Sequence, residues 1–234
     1  MMPSRYCRQI LPPEMCDYIE KFVKEPNMEW IDGILSLRTG VSDIKDNDYG
    51  SKTKKVFEGY HEESKNIILN FLNNDLEFQY LTCPKIYSAP IFSKIIKDGY
   101  YKCHLDNEFM GHYSTTLFLN DPSEYEGGEL QLLIDDKLIN YKLQKGWGVT
   151  YSTGTPHQVK KVTSGKRYAC VLWTISYIND IMDRELYYEI SKTEESIQKI
   201  IPDVNIYDNL FEFQNDPQSR LANVKKSIVR RHLK

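Results

Sequence analysis

Apolar residues change their spacing twice along this chain, from a helical period to a strand period and back. Met15, Ile19, Phe22 and Val23 recur at helical spacing behind Leu11-Pro12-Pro13-Glu14, whose prolines suit a first turn, and predict an amphipathic helix. A polar stretch at 37–55, with Gly40, Asp43, Asp46, Asn47, Asp48 and Gly50, keeps neither period and reads as a lid-like loop. A second helix is expected over 57–73, where Ile67, Ile68, Phe71 and Leu72 form a stripe that Asn73-Asn74-Asp75 ends. Between 83 and 178 the texture becomes short β-rich runs separated by Gly, Pro, Asn and Asp, at 91–96, 100–105, 115–119, 129–134, 137–143, 148–151, 158–162 and 167–177. About eight such strands suit a double-sheet jelly roll. Helical spacing returns with Leu186, Tyr187, Ile190 and Ile197, then with Leu221, Val224, Ile228 and Val229 ahead of a basic end, Arg230-Arg231-His232-Leu233-Lys234. That end reads as a solvated helix terminus complementing the dipole. The fold class expected is α+β, a double-stranded β-helix (jelly roll) core flanked by N- and C-terminal helices. A single domain over 1–234 follows, with 1–82 as helical and loop support, 83–178 as the core and 179–234 as C-terminal helices.

Composition narrows the function. Thirty Lys+Arg against 33 Asp+Glu leave a net charge of −3, which removes the electrostatic reason to expect a nucleic-acid binder. No apolar run approaches the ~20 residues that span a bilayer, and the N-terminus leads into no signal-peptide core, so no membrane partner and a cytoplasmic location are expected. The five cysteines, Cys7, Cys16, Cys83, Cys103 and Cys170, are scattered and odd in number, which suits reduced thiols. Cys103 is expected in packing, and His61 and His112 in structural or exposed positions.

The chain has five histidines, and His104 is followed at i+2 by Asp106. On a strand those two side chains share a face. His157 follows Thr155-Pro156, and Arg167 follows Thr163-Ser164-Gly165-Lys166. If Ser164-Gly165-Lys166 is a three-residue hairpin loop, His157 lies opposite Trp173 and shares a face with Arg167, Ala169 and Val171. Two histidines and one carboxylate on one face leave metal positions open, as in non-haem Fe(II) oxygenases, and Arg167 offers a charged fork for a carboxylate. Gly127-Gly128 lacks the helix and Lys-Ser/Thr of a phosphate loop and reads as a tight turn or bulge.

The ordered set of His104-Leu105-Asp106-Asn107, Thr115-Thr116-Leu117-Phe118-Leu119-Asn120-Asp121-Pro122, Tyr125-Glu126-Gly127-Gly128-Glu129-Leu130, His157-Gln158-Val159 and Arg167 resembles the Fe(II)- and 2-oxoglutarate-dependent dioxygenases, specifically the prolyl 4-hydroxylase-like hydroxylases of PKHD type. The resemblance extends to Glu29-Trp30-Ile31-Asp32-Gly33, Pro90-Ile91-Phe92 and the C-terminal helices. It implies iron on His104, Asp106 and His157, the distal carboxylate of 2-oxoglutarate on Arg167, and O2 as co-reactant, with ascorbate as a reductant. It also implies succinate and CO2 as products. Two departures stand out: Ile95 and Phe118 occupy positions where relatives carry a tyrosine that contacts the cosubstrate. Tyr101 or Thr116 would then supply the hydroxyl, and Trp173 a wall of the pocket. The substrate implied is a proline-containing peptide or protein. The other readings are hydroxylation of a small metabolite or another side chain, a non-catalytic metal-binding jelly roll, and a cupin-type metal-dependent hydrolase, which has no use for Arg167.

Overall fold

The computed structural model describes residues 3–25, 28–33, 53–107, 110–200 and 210–233. Twelve strands form one curled, wholly antiparallel sheet, a jelly-roll half-barrel with helices on its outside. Its main path runs β1 (Arg5–Gln9), β10 (Trp147–Ser152), β6 (Tyr113–Phe118), β12 (Val162–Ser176), β5 (Ile91–His104), β11 (His157–Val159), β8 (Leu130–Ile134) and β9 (Lys137–Tyr141). β3 (Thr53–Gly59) adds to β5, β2 (Ile31–Asp32) to β3, and β4 (Pro84–Tyr87) and β7 (Tyr125–Gly127) to β12.

Helix α1 (Pro13–Lys24) starts on proline as expected and buries Cys16, Ile19 and Val23. With α2 (Glu62–Asn74) and α3 (Leu76–Thr82) it covers the outer sheet face, packing on Phe92, Leu117, Leu119, Cys170 and Leu172. The inner face collects Phe118, Leu130, Leu132, Val149 and Tyr151. The central strand β6 divides its residues between two apolar layers, which is why it is buried along its whole length. Helices α4 (Ile181–Ile200) and α6 (Pro217–His232), with the short α5 (Leu210–Asn215) before α6, complete the chain. Arg231 and His232 both pair with Asp183 at 2.9 and 2.8 Å, so the basic end fastens α6 to the start of α4. No described helix is long and apolar enough to cross a membrane.

Several elements differ from the pattern reading, each for a local reason. The 57–73 helix begins at Glu62, where His61 accepts from Ser64 N, and Phe57 belongs to β3. The 37–55 loop lies outside the described residues except for Thr53, Lys54 and Lys55, which open β3. The N-terminal segment is more than helical and loop support, because β1 pairs with β10 and β3 with β5. Runs 91–96 and 100–105 are one strand: Asp98 adopts φ +69° beside Gly99, yet β3 pairs on both sides of the bend. The hairpin at 164–166 does not form. Gly165, at φ +72°, lies so close to Glu124 O that an added Cβ would sit 2.1 Å from it; it pairs with Tyr125 of β7, and β12 runs on past a bulge between Val162 and Ser164. Leu186 is 45% exposed, and α4 buries Arg184, Tyr188, Ile190 and Ser191 instead. In α6 only Ile228 is buried among the described residues. Cys103 is exposed rather than packed.

Candidate active site

β11 carries His157 between two strands, opposite His104 of β5 on one side and Leu132 of β8 on the other. The expected pairing of His157 with Trp173 is therefore wrong, since the hairpin it needed does not exist. The convergence survives by another route. His104 ends β5, and Asp106 lies just beyond the strand rather than on it. Asp106 Oδ1 is 3.7 Å from His104 Nε2 and 3.6 Å from His157 Nε2, and among the described residues these three form the one cluster with metal-ligating geometry.

Hydrogen bonding fixes how the histidines present themselves. His104 Nδ1 lies 2.8 Å from Lys102 O and His157 Nδ1 lies 2.9 Å from Thr155 O. A carbonyl can only accept, so Nδ1 carries the proton in each ring and both Nε2 lone pairs face Asp106. Burial lowers the His157 pKa below its ordinary value despite the opposing Asp106 charge, which keeps that ring neutral. Burial acts to raise the Asp106 pKa, but the adjoining His104 and His157 rings and the hydrogen bonds donated by Ser114 and Trp173 outweigh it and hold the carboxyl below its usual range. A neutral imidazole and an ionised carboxylate are the forms a divalent metal binds. The donor set therefore fits Fe(II).

Arg167 lines the same cavity. It is 2% exposed, and its Nε and Nη2 are buried without a hydrogen-bond partner. A buried guanidinium with two idle donors is a strong anion site, and the carboxylate of 2-oxoglutarate fits it. Ile95 is its direct neighbour in the β5–β12 ladder, and the Phe118 ring lies 5.2 Å from its Cζ. The two positions expected to carry a tyrosine in relatives thus flank Arg167 and offer no hydroxyl.

Tyr101, Thr116 and Trp173 all line the cavity, Tyr101 with its ring 4.3 Å from that of His104. Trp173 does more than form a wall, because its Nε1 donates to Asp106 Oδ2 at 3.0 Å. The pattern reading missed Tyr151, Tyr125, Ser114 and Glu58. Tyr151 lines the cavity with its ring 5.2 Å from His157, and burial pushes its hydroxyl well above the ordinary range, with the Asp106 charge adding to this. Its place was legible, since strand alternation puts Val149 and Tyr151 on one side. Burial raises the pKa of the Tyr125 hydroxyl, and the neighbouring Arg167 charge opposes that rise. Glu58, a buried carboxylate from β3, adds to the lining, and nothing in its local spacing marked it. Gly127 and Gly128 have φ near +70°, and a Cβ on Gly128 would meet Arg167 Cδ and Tyr125 Cε2 at 3.2 Å, so this turn lets both side chains approach.

Comparison with known proteins agrees with this geometry. Residues 91–175 match the model of the 2OG-Fe(II) oxygenase superfamily. A PKHD-type hydroxylase of Prochlorococcus marinus is 30% identical over 218 residues, covering 92% of this chain and 97% of the relative. Another from Picosynechococcus is 31% identical over 193 residues, covering 81% and 85%. In fold, the chain is similar to a Trichoplax adhaerens prolyl hydroxylase solved with a hypoxia-inducible-factor peptide fragment, at TM-score 0.57 and 14% identity over 74% of this chain and 84% of that one. A relative matched along nearly its whole length at this identity places the chain in the PKHD-type hydroxylase family, the prolyl hydroxylase-like branch of the Fe(II)- and 2-oxoglutarate-dependent dioxygenases.

Proposed function

We propose that the chain acts as one dioxygenase domain that hydroxylates a prolyl residue in a peptide or protein, with iron held by His104, Asp106 and His157 and the distal carboxylate of 2-oxoglutarate held by Arg167. One observation carries this reading: the three-ligand cluster and the buried guanidinium with two unpartnered N–H groups line a single cavity. When bound, the metal and cosubstrate together supply the oxidation that puts one oxygen atom of O2 into the substrate and the other into succinate, with release of CO2. The protein's own contribution is placement. Arg167 orients the cosubstrate along the cavity. The Tyr151 hydroxyl stands in for the tyrosines missing at Ile95 and Phe118, with Thr116 on the adjacent strand and Tyr101 also lining the cavity. Ile91, Val171 and Trp173 form an apolar wall, backed by Met110, that suits a prolyl ring and excludes water. A peptide substrate gains support from the Trichoplax prolyl hydroxylase with its bound peptide.

The test is purified protein with Fe(II), 2-oxoglutarate and ascorbate, presented with proline-containing peptides, matched peptides lacking proline, and free amino acids. Succinate should form in step with one added oxygen on a prolyl residue, and omission of ascorbate should slow repeated turnover. An oxygen added to a free metabolite, with none on any peptide, would replace this substrate class with the small-molecule one.

A further inference from the structure

Asp106 stands beyond the end of β5, in a segment without regular structure, yet one of its two oxygens is fully committed. Ser114 Oγ donates to Oδ2 at 2.5 Å and Trp173 Nε1 donates to the same oxygen at 3.0 Å. Oδ1 is the atom that faces His104 Nε2 and His157 Nε2. We infer that Ser114 and Trp173 are positioning residues that clamp Oδ2 and so restrict Asp106 to a single metal-facing oxygen.

The clamp is rigid for reasons of register. Ser114 and Trp173 are direct partners across the β6–β12 ladder, so their two donors converge from adjacent strands with a fixed separation. Ser114 is fully buried and Trp173 nearly so. The Trp173 backbone is pinned in turn, its N donating to Ser88 Oγ at 2.9 Å and its O accepting from Ser88 N at 2.9 Å. An indole N–H can only donate and an ionised carboxylate can only accept, so the polarity of the arrangement is unambiguous. A carboxylate released from these donors could turn and offer both oxygens to a metal. It would then occupy a coordination position that an oxygenase must keep open for its reactants.

The inference rests on the iron reading of His104, Asp106 and His157, and the experiment separates the two. Ser114→Ala, Trp173→Phe and Asp106→Ala proteins are titrated with Co(II) in the absence of 2-oxoglutarate. Affinity and the visible absorption of the bound ion are recorded, with melting of the metal-free proteins alongside. Orientation of a metal ligand by its outer partners is worth roughly 10–100-fold in affinity, so Ser114→Ala and Trp173→Phe should each bind Co(II) at least about tenfold more weakly. The absorption bands should also shift, reporting altered coordination, in proteins that melt as cooperatively as wild type. Wild-type affinity and spectrum in both variants, with binding lost in Asp106→Ala, would overturn the clamp and leave the iron site standing. Unchanged binding in Asp106→Ala would remove the iron site and the clamp together. Should Trp173→Phe fail to fold, Ser114→Ala alone decides, since it deletes one buried oxygen and no packing carbon.

Discussion

Replacing Arg167 with methionine should leave the ligand-free protein at least as stable as wild type while removing its hold on 2-oxoglutarate. The guanidinium is 2% exposed, burial pulls its pKa below the ordinary arginine value, and Nε and Nη2 lack partners. Each idle buried donor costs about 1–3 kcal/mol, and the cation–π contact with Phe118 returns roughly 0.5–2 kcal/mol. Methionine keeps much of the chain's length and removes both the charge and the idle donors. The net change is then between about zero and several kcal/mol in favour of the variant. In a chain of 234 residues that raises the melting temperature by about 2–4 °C per kcal/mol.

Ligand binding should show the opposite sign. Wild-type protein at a cosubstrate concentration of about 100 Kd gains ~2.7 kcal/mol by linkage, a rise of roughly 5–10 °C. Loss of one partner from a buried, hydrogen-bonded ion pair is worth about 3–5 kcal/mol, so Arg167→Met should bind 2-oxoglutarate roughly a hundred- to several-thousand-fold more weakly and show almost no rise. Arg167→Lys, which keeps the charge without the planar fork, should fall between the two. The assay is thermal melting with Mn(II) in place of iron, with and without 2-oxoglutarate, checked by calorimetric titration. An Arg167→Met protein that 2-oxoglutarate stabilises as it does wild type would refute the assignment and move the anchor to Lys160, Lys161 or Lys166. A ligand-free variant destabilised by several kcal/mol would refute the argument from idle donors.

Gly128→Ala should destabilise the fold by about 1–3 kcal/mol, because φ is +67° and the new Cβ meets Val162 Cγ2 at 2.9 Å. It should also weaken 2-oxoglutarate binding by pushing Arg167 and Tyr125 out of place, read in the same titration. Glu195 on α4 is held down to about 2 by hydrogen bonds from Lys192 and Lys199. A depressed carboxyl contributes stability above its ordinary range and loses it as pH falls through the folded value. Glu195→Gln should therefore melt slightly below wild type at pH 7, and the gap should close between roughly pH 4.5 and pH 2.

What could be read from the sequence follows from which interactions are local. The α1 stripe of Ile19 and Val23, the strand alternation, and the His104/Asp106 spacing all report contacts within a few residues, and each has its counterpart in the structure. Pairing between strands is different, because it depends on loops whose geometry one residue can change. Gly165 shows this. Its positive φ serves a paired strand as well as a hairpin, and the close approach of Glu124 O, forty-one residues earlier in the chain, keeps it in the ladder with β7.

The same limit explains why the candidate site residues converge although the register expected for them does not occur. Arg167, Val171 and Trp173 face the cavity because they alternate along one strand, whatever that strand pairs with. His157 faces it because β11 is inserted between β5 and β8, a placement no spacing announces. The contacts that prepare Asp106 lie further still from any local pattern, since Ser114 is eight residues away, Trp173 sixty-seven, and their convergence is a property of the β6–β12 ladder. Of the candidate ligands, only the His104/Asp106 pair is thus marked by a short spacing, whereas the orientation of all three is set by the register between strands. A chain could keep every metal ligand in sequence and still lose the chemistry if one bulge in β12 moved Trp173 to the other face.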